Sequence, residues 1–305
     1  MLIALAVLSS LIQNPIELKP GRDIQLLKKE FIVNCVAVGD ELCYNGGDPE
    51  DSLLTYVIRR DGKTIRPLPK IPFEYFAGGA GRIYESRDGH INIYNLQGKR
   101  LRSFGSIGSK PNQFGRDGKV WDEDKEGPQY LAVGPNGDVF GYDQQSSTIK
   151  HFDKNGKFLG SFAHTLLKDR TVEGMSVDSA NNVFVSTFKY DRSDANLLKV
   201  SASGKMLASI GSLGEGLNHW TKSDSDPERE IGPGCLALAW NGNIFAVDIN
   251  SDQIRVLDKA GKPLRAFVIM YGENIAHITS LSIDKRGTIF IGTSQALYSW
   301  KPQRP

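Results

Sequence analysis

The chain has 305 residues, 40% hydrophobic and 24% charged, with a net charge of +2 and 32 glycines, a composition that supports one soluble globular body rich in turns. Three cysteines are too few for a disulfide framework, and past the first residues no apolar run is long enough for a membrane helix.

In chain order, Met1 to Leu11 is apolar or small and leads into Gln13, Asn14 and Pro15. The run is too short to span a bilayer and is similar to the apolar part of a secretory signal peptide, with Val7 and Ser9 as a small-residue cleavage pattern. Residues 1–15 are therefore expected to be removed on export, leaving 16–305 secreted or periplasmic without a membrane span. No Lys or Arg precedes the run, and a buried first strand is the alternative reading.

The clearest unit lies further on, from Gly127 to Phe162. Apolar residues between Pro-Asn-Gly and Lys-Asn-Gly turns predict four short strands: Leu131 to Val133, Val139 to Tyr142, Ile149 to Phe152 and Phe158 to Phe162. Leu236, Gly242, Phe245, Asp248, Leu257, Gly261 and Phe267 repeat Leu131, Gly137, Phe140, Asp143, Phe152, Gly156 and Phe162 at one constant offset. Counting units of this kind gives Asn34 to Leu68, Glu74 to Phe104, Gly127 to Phe162, Glu173 to Ile210, Gly234 to Phe267 and Thr279 to Trp300. The last has room for only three strands. Gly21 to Leu27 matches Gly156 to Phe162 in its apolar positions and can supply the fourth. The predicted fold is an all-β, six-bladed β-propeller closed by an N-terminal strand that completes the last blade.

This blade pattern, together with the connector Phe104 to Phe114 and its second copy Ile210 to Trp220, resembles the NHL-repeat propellers. The resemblance implies the fold. It leaves function open, because such propellers host scaffolds, sugar and peptide binders and several enzymes.

The Gly-Lys dipeptides at 62–63, 98–99, 156–157, 204–205 and 261–262 all fall between third and fourth strands, where a hairpin needs positive φ. No helix follows and the Walker spacing is missing, so they are turns rather than phosphate loops. They share a propeller face with the turns between first and second strands, and that face is expected to be basic, carrying Lys99, Lys157, Lys205, Lys262 and Arg286 among others. The opposite face receives the blade connectors and the loops rich in Asp and Glu, including Asp143, Asp194, Asp248 and Asp252. A nucleic-acid surface is disfavoured, because the cations are spread over all blades without an aromatic platform.

Two function classes follow. The first is a binding module for a protein, peptide or glycan partner on the acidic face, where the long connectors pair Phe114, Trp121, His219 and Trp220 with Asp122 and Asp124. Asp122 to Gly127 only superficially resembles an EF-hand loop, since Val133 stands where the bidentate acid belongs. The second is a divalent-metal-dependent hydrolase or lyase. One residue per blade, two before each innermost strand, gives Asn34, Glu74, Gln129, Glu173, Gly234 and Thr279 at the channel mouth. Five of the six offer an oxygen ligand of the kind that suits calcium, and the layout resembles that of the paraoxonase and gluconolactonase propellers. A lactone or ester is the substrate class, with His277 as the base. Cys35 and Cys43, on neighbouring strands, either pair or serve as small buried residues; Cys235 has no evident partner.

Overall fold

A computed structural model describes residues 16–18, 25–28, 31–47, 54–59, 65–68, 75–115, 127–215, 219–221, 232–238, 242–271 and 273–301. The strands gather into six small antiparallel sheets, each a blade. Blade one is Phe31–Val38, Glu41–Gly47, Leu54–Arg59 and Ile65–Pro67; blade two is Tyr75–Gly79, Arg82–Arg87, His90–Tyr94 and Arg100–Phe104. Blade three is Tyr130–Val133, Val139–Asp143, Thr148–Phe152 and Phe158–Phe162; blade four is Arg170–Val177, Val183–Lys189, Ala195–Val200 and Met206–Ile210. Blade five is Pro233–Leu238, Ile244–Asp248, Gln253–Leu257 and Pro263–Tyr271. Blade six is Ile278–Ile283, Ile289–Thr293 and Ala296–Trp300, completed on its outside by Gln25–Lys28.

That closure has the expected register. Leu27 pairs with Leu297 as Phe162 pairs with Ile149, so the N-terminal segment fills the place that Phe158–Phe162 holds in blade three. A second contribution was not foreseen. Ile16–Leu18 runs parallel to Phe267, Val268 and Ile269 and adds a strand to the outside of blade five. The segment before blade one thus ties the last two blades together and covers both of their outer edges.

Each blade is packed on both faces by its neighbours, which explains why second strands read as unbroken apolar runs. Val139–Asp143, Ile244–Asp248 and Ile289–Thr293 are buried at every position, whereas the outer strand Phe158–Phe162 alternates. The buried side chains fall into six clusters, one per junction between blades, including the junction of blade six with blade one around Ile32, Tyr44, Phe290 and Leu297. Truncating one such Leu or Ile to Ala costs about 2–5 kcal/mol.

The turns at 156–157 and 261–262 share one local structure, while 62–63 lies outside the described residues. Asp153 Oδ1 accepts the amides of Asn155 and Lys157 at 2.8 and 2.9 Å, and Asp258 Oδ1 accepts those of Ala260 and Lys262 at the same distances. Gly156 and Gly261 stand between them at φ 80° and 85°, a conformation that a Cβ disfavours. The following lysines point to water, and Lys99, Lys157, Lys205, Lys262 and Arg286 are all exposed on this face.

Cys35 and Cys43 are free and buried. Cys35 pairs with Tyr44 and Cys43 with Val36, so the two thiols lie on opposite faces of blade one. Cys35 packs toward blade six and Cys43 toward blade two, which rules out a bond between them.

Candidate functional site

The innermost strands surround a central cavity of about 550 Å³, within the range of small-molecule sites. Of the six residues expected at its mouth, Asn34, Gln129, Glu173, Gly234 and Thr279 all line it; Glu74 lies outside the described residues. His277 lines it too.

The local cause is a series of β-bulges. In blade four Val172 pairs with Thr187 and Gly174 with Ser186, leaving Glu173 as the extra residue. Thr279 has the same place in blade six, between paired Ile278 and Ser280, and Gly234 falls in the register shift of blade five. A bulge breaks the alternation of side chains and re-aims the extra residue. These positions are therefore inside strands rather than ahead of them. Blade three needs no bulge, because Gln129 precedes Tyr130–Val133 and donates its own amide to the Tyr142 carbonyl at 3.0 Å.

Around the mouth the donors of several side chains are already committed. Thr279 Oγ1 donates to the Ile32 carbonyl, and Asn34 Nδ2 donates to the Phe76 carbonyl at 3.4 Å. Gln129 is 8% exposed and its Oε1 has no hydrogen-bond partner. The rest of the lining is mixed: Val36, Ala77, Leu131, Ala132, Met175 and Leu281 stand beside Ser176, Ser280 and Ser282. The apolar members were not anticipated, because on the innermost strand a channel-facing residue and a blade-facing residue are both apolar.

Calcium takes six to eight oxygens, several of them carboxylate. Among the described residues no group of three or more His, Cys, Asp or Glu gathers in one place. The described ring brings one carboxylate, Glu173, and Gln129 Oε1 is closed into the wall. These donors do not by themselves make a calcium site.

At the rim, His277 is 57% exposed at its side chain and its Nδ1 lies 2.9 Å from Asp252 Oδ1. The same carboxylate oxygen accepts the Ile278 amide at 3.4 Å, which ties the loop after Ile244–Asp248 to the start of blade six. A carboxylate on Nδ1 fixes the ring orientation. Asp252 was expected only as a charge of the acidic face, so its role in orienting His277 went unseen.

The connectors depart from expectation. Phe114 is 1% and Trp220 2% exposed, and neither ring presents a face to a ligand. Each connector folds back on itself: Phe114 bridges Ile107, and Trp220 bridges Leu213. Gly105 and Gly211 permit this, at φ 83° and 76°, because a Cβ there would stand 2.9 Å from the Phe114 ring and 2.4 Å from Trp220 Nε1. The rings then cap blade junctions, with Lys150 5.7 Å from the centre of Phe114 and Arg255 5.4 Å from that of Trp220.

Asp143 and Asp248 likewise leave the acidic face. Both are buried; Asp143 Oδ2 accepts the Gly115 amide at 3.1 Å, and Asp248 Oδ2 accepts Thr221 Oγ1 at 2.7 Å, so each clamps a connector to its blade. Asp194 is paired with Arg170. His219 is half-buried on its connector, its Nδ1 3.0 Å from Ser212 Oγ. Trp121, Asp122 and Asp124 lie outside the described residues.

No family model matches the chain, and no curated protein matches it. Among solved structures the chain is similar to a gluconolactonase from Xanthomonas campestris, with TM-score 0.58 and 14% identity over 91% of this chain and 88% of that one. It is also similar to a catalytically inactive virginiamycin B lyase from Staphylococcus aureus, with TM-score 0.53 and 11% identity over 89% and 94% of the two chains. The WD40 β-propeller domain of Doa1 gives TM-score 0.53 and 14% identity over 92% and 96%. At these identities the likeness carries the propeller fold alone. It spans two enzymes and a WD40 domain, so the fold does not select a function.

Proposed function

We propose that this chain is an extracytoplasmic, NHL-like binding module that takes a polar end group of a peptide or glycan into the mouth of its central channel. The observation that carries the proposal is the convergence of Asn34, Gln129, Glu173 and Thr279, from four different blades, on one cavity that apolar side chains also line. A concave site with a few convergent polar groups over apolar walls is the usual form of a ligand pocket. Phe114 and Trp220, two of the connector rings expected in the contact surface, are spent on packing, which favours the channel over the face. Peptide and glycan arrays test this: ligands captured by the native chain are lost with Glu173→Ala plus Thr279→Ala, provided the variant melts normally. Equal capture by both proteins contradicts it.

The His277–Asp252 pair at the same mouth favours a second reading, a hydrolase or lyase. Nε2 of His277 then acts as general base on a water or on the substrate's acidic C–H. The gluconolactonase and the virginiamycin B lyase among the similar structures fit these reaction classes. A panel of lactones, esters and virginiamycin B decides: turnover that falls by at least about a hundredfold in His277→Ala supports the enzyme, and no turnover of any substrate removes it.

A further inference from the structure

We propose that this chain docks on an anionic bilayer surface through a belt of alternating lysines and leucines on the outside of blades two to five, whatever its channel takes. The belt begins with the outer strands. Each carries a β-bulge at the same place: Arg100 and Arg102 pair with Tyr94 and Ile93, leaving Leu101 as the extra residue, and Leu159, Leu207 and Leu264 are left over in the same way. A bulge re-aims its extra residue. The four leucines are 46, 49, 46 and 43% exposed, at matching places on four blades. Each stands two residues after the exposed lysine of its Gly-Lys turn, Lys99, Lys157, Lys205 or Lys262. The strand then runs on to the turn of the next blade: a Cβ on Gly156 would meet Phe104 at 2.6 Å, one on Gly204 Phe162 at 2.7 Å, and one on Gly261 Ile210 at 2.7 Å. Lysine and leucine therefore follow one another from blade to blade.

Charge decides what such a belt meets. Residues 95–104, 153–162, 201–210 and 258–267 hold nine Lys and Arg against two carboxylates, Asp153 and Asp258. Those two each accept a pair of turn amides, and none of Lys99, Lys157, Lys205 and Lys262 is in a salt bridge. Asp143, Asp194 and Asp248, expected to make the other face acidic, are paired with Lys150, Arg170 and Arg255. Among these groups the uncompensated charge is thus positive. Lysines spread over four blades, with leucines rather than aromatic rings between them, suit a broad anionic surface better than a nucleic-acid strand, which stacks its bases on rings. A half-exposed leucine beside each cation gives the headgroup boundary an apolar contact. The channel mouth lies at the connector end of the blades and stays turned away from the lipid.

Co-sedimentation of the full chain tests this, with vesicles of phosphatidylcholine alone and with about one third phosphatidylglycerol added. The mixed vesicles should bind at least about ten times more tightly than the neutral ones in about 0.1 M salt, and far less in about 0.5 M. Lys157→Glu plus Lys205→Glu should weaken that binding at least about tenfold. Leu159→Ser plus Leu207→Ser should weaken it at least about fivefold. Each variant is compared at a native-like melt. Lys110→Glu plus Lys168→Glu, at exposed positions off the belt, makes the same change of net charge and should leave binding within about twofold. Equal binding to neutral vesicles, or equal loss from the two lysine pairs, overturns the belt. Leucine substitutions without effect overturn the bilayer as its partner. So does retention by polyphosphate or heparin beads of a chain that ignores the mixed vesicles, which assigns an anionic polymer instead. No binding to any probe overturns the proposal.

Discussion

Asp143 and Lys150 lie 3.2 Å apart, both buried, at the spot in blade three that Asp248 and Arg255 hold in blade five. In each case the carboxylate also receives a connector donor, from Gly115 or from Thr221, while the cation leans on the connector's aromatic ring. Removing one partner leaves a buried charge uncompensated. Asp143→Ala should therefore destabilise by about 3–5 kcal/mol in urea unfolding. The double variant Asp143→Leu plus Lys150→Met should recover most of that loss, because both charges are then gone. A double variant no better than the single one would show that the connector hydrogen bonds, not the charges, hold the junction.

Glu85 supplies a pH dependence. It is 1% exposed in blade two, accepts Tyr94 Oη–H at 2.8 Å and Asn92 Nδ2–H at 3.2 Å on one oxygen, and has no partner on the other. Burial raises its pKa above the ordinary 4.5. Between the unfolded and folded values the native chain binds more protons than the unfolded one, so this group's contribution is full below the ordinary value and is lost as pH rises through the raised one. Glu85→Gln should flatten that part of the stability profile and gain stability at neutral pH relative to the native chain. A profile unchanged by the substitution would contradict the assignment.

The N-terminal segment should behave as a clasp. Deleting residues 1–28 removes Ile16–Leu18 from blade five and Gln25–Lys28 from blade six, exposing two sheet edges. The remaining chain should lose its single sharp thermal transition, or melt on the order of 10 °C lower. An unchanged cooperative melt would mean that the ring closes without them.

Cys35 and Cys43 give a direct probe of packing. Burial pushes the Cys35 thiol up to about 11 and Cys43 higher still. Neither should react with a soluble disulfide reagent at pH 8 while the chain is folded, and both should react in denaturant. Peptide mapping that found either residue labelled in the native state would contradict the blade-one packing.

The blade number and closure were legible because a closed ring repeats one strand pattern, and Gly21 to Leu27 carried enough of it to be placed by register. Ile16–Leu18 was not legible, since three residues pairing in parallel across the ring carry no period. The ring positions were found by counting along the chain, but the bulges that aim Glu173 and Thr279 are properties of pairing across strands and leave no mark in one strand alone. Phe114 and Trp220 misled because aromatic residues in long loops read as contact surface. The corrective signal was present: Gly105 and Gly211 recur at the same distance before the rings, and a template repeated in two loops points to shared packing.

The most direct measurement of the channel as the binding site uses the methionines. The chain has four, and with their methyl groups isotopically labelled Met175 reports from the channel wall while Met206, 50% exposed on an outer strand, serves as the control. A ligand captured on the arrays should shift the Met175 methyl resonance in proportion to occupancy and leave Met206 in place. A saturating ligand that moves Met206, or moves neither, would show that binding occurs outside the channel and would contradict the account.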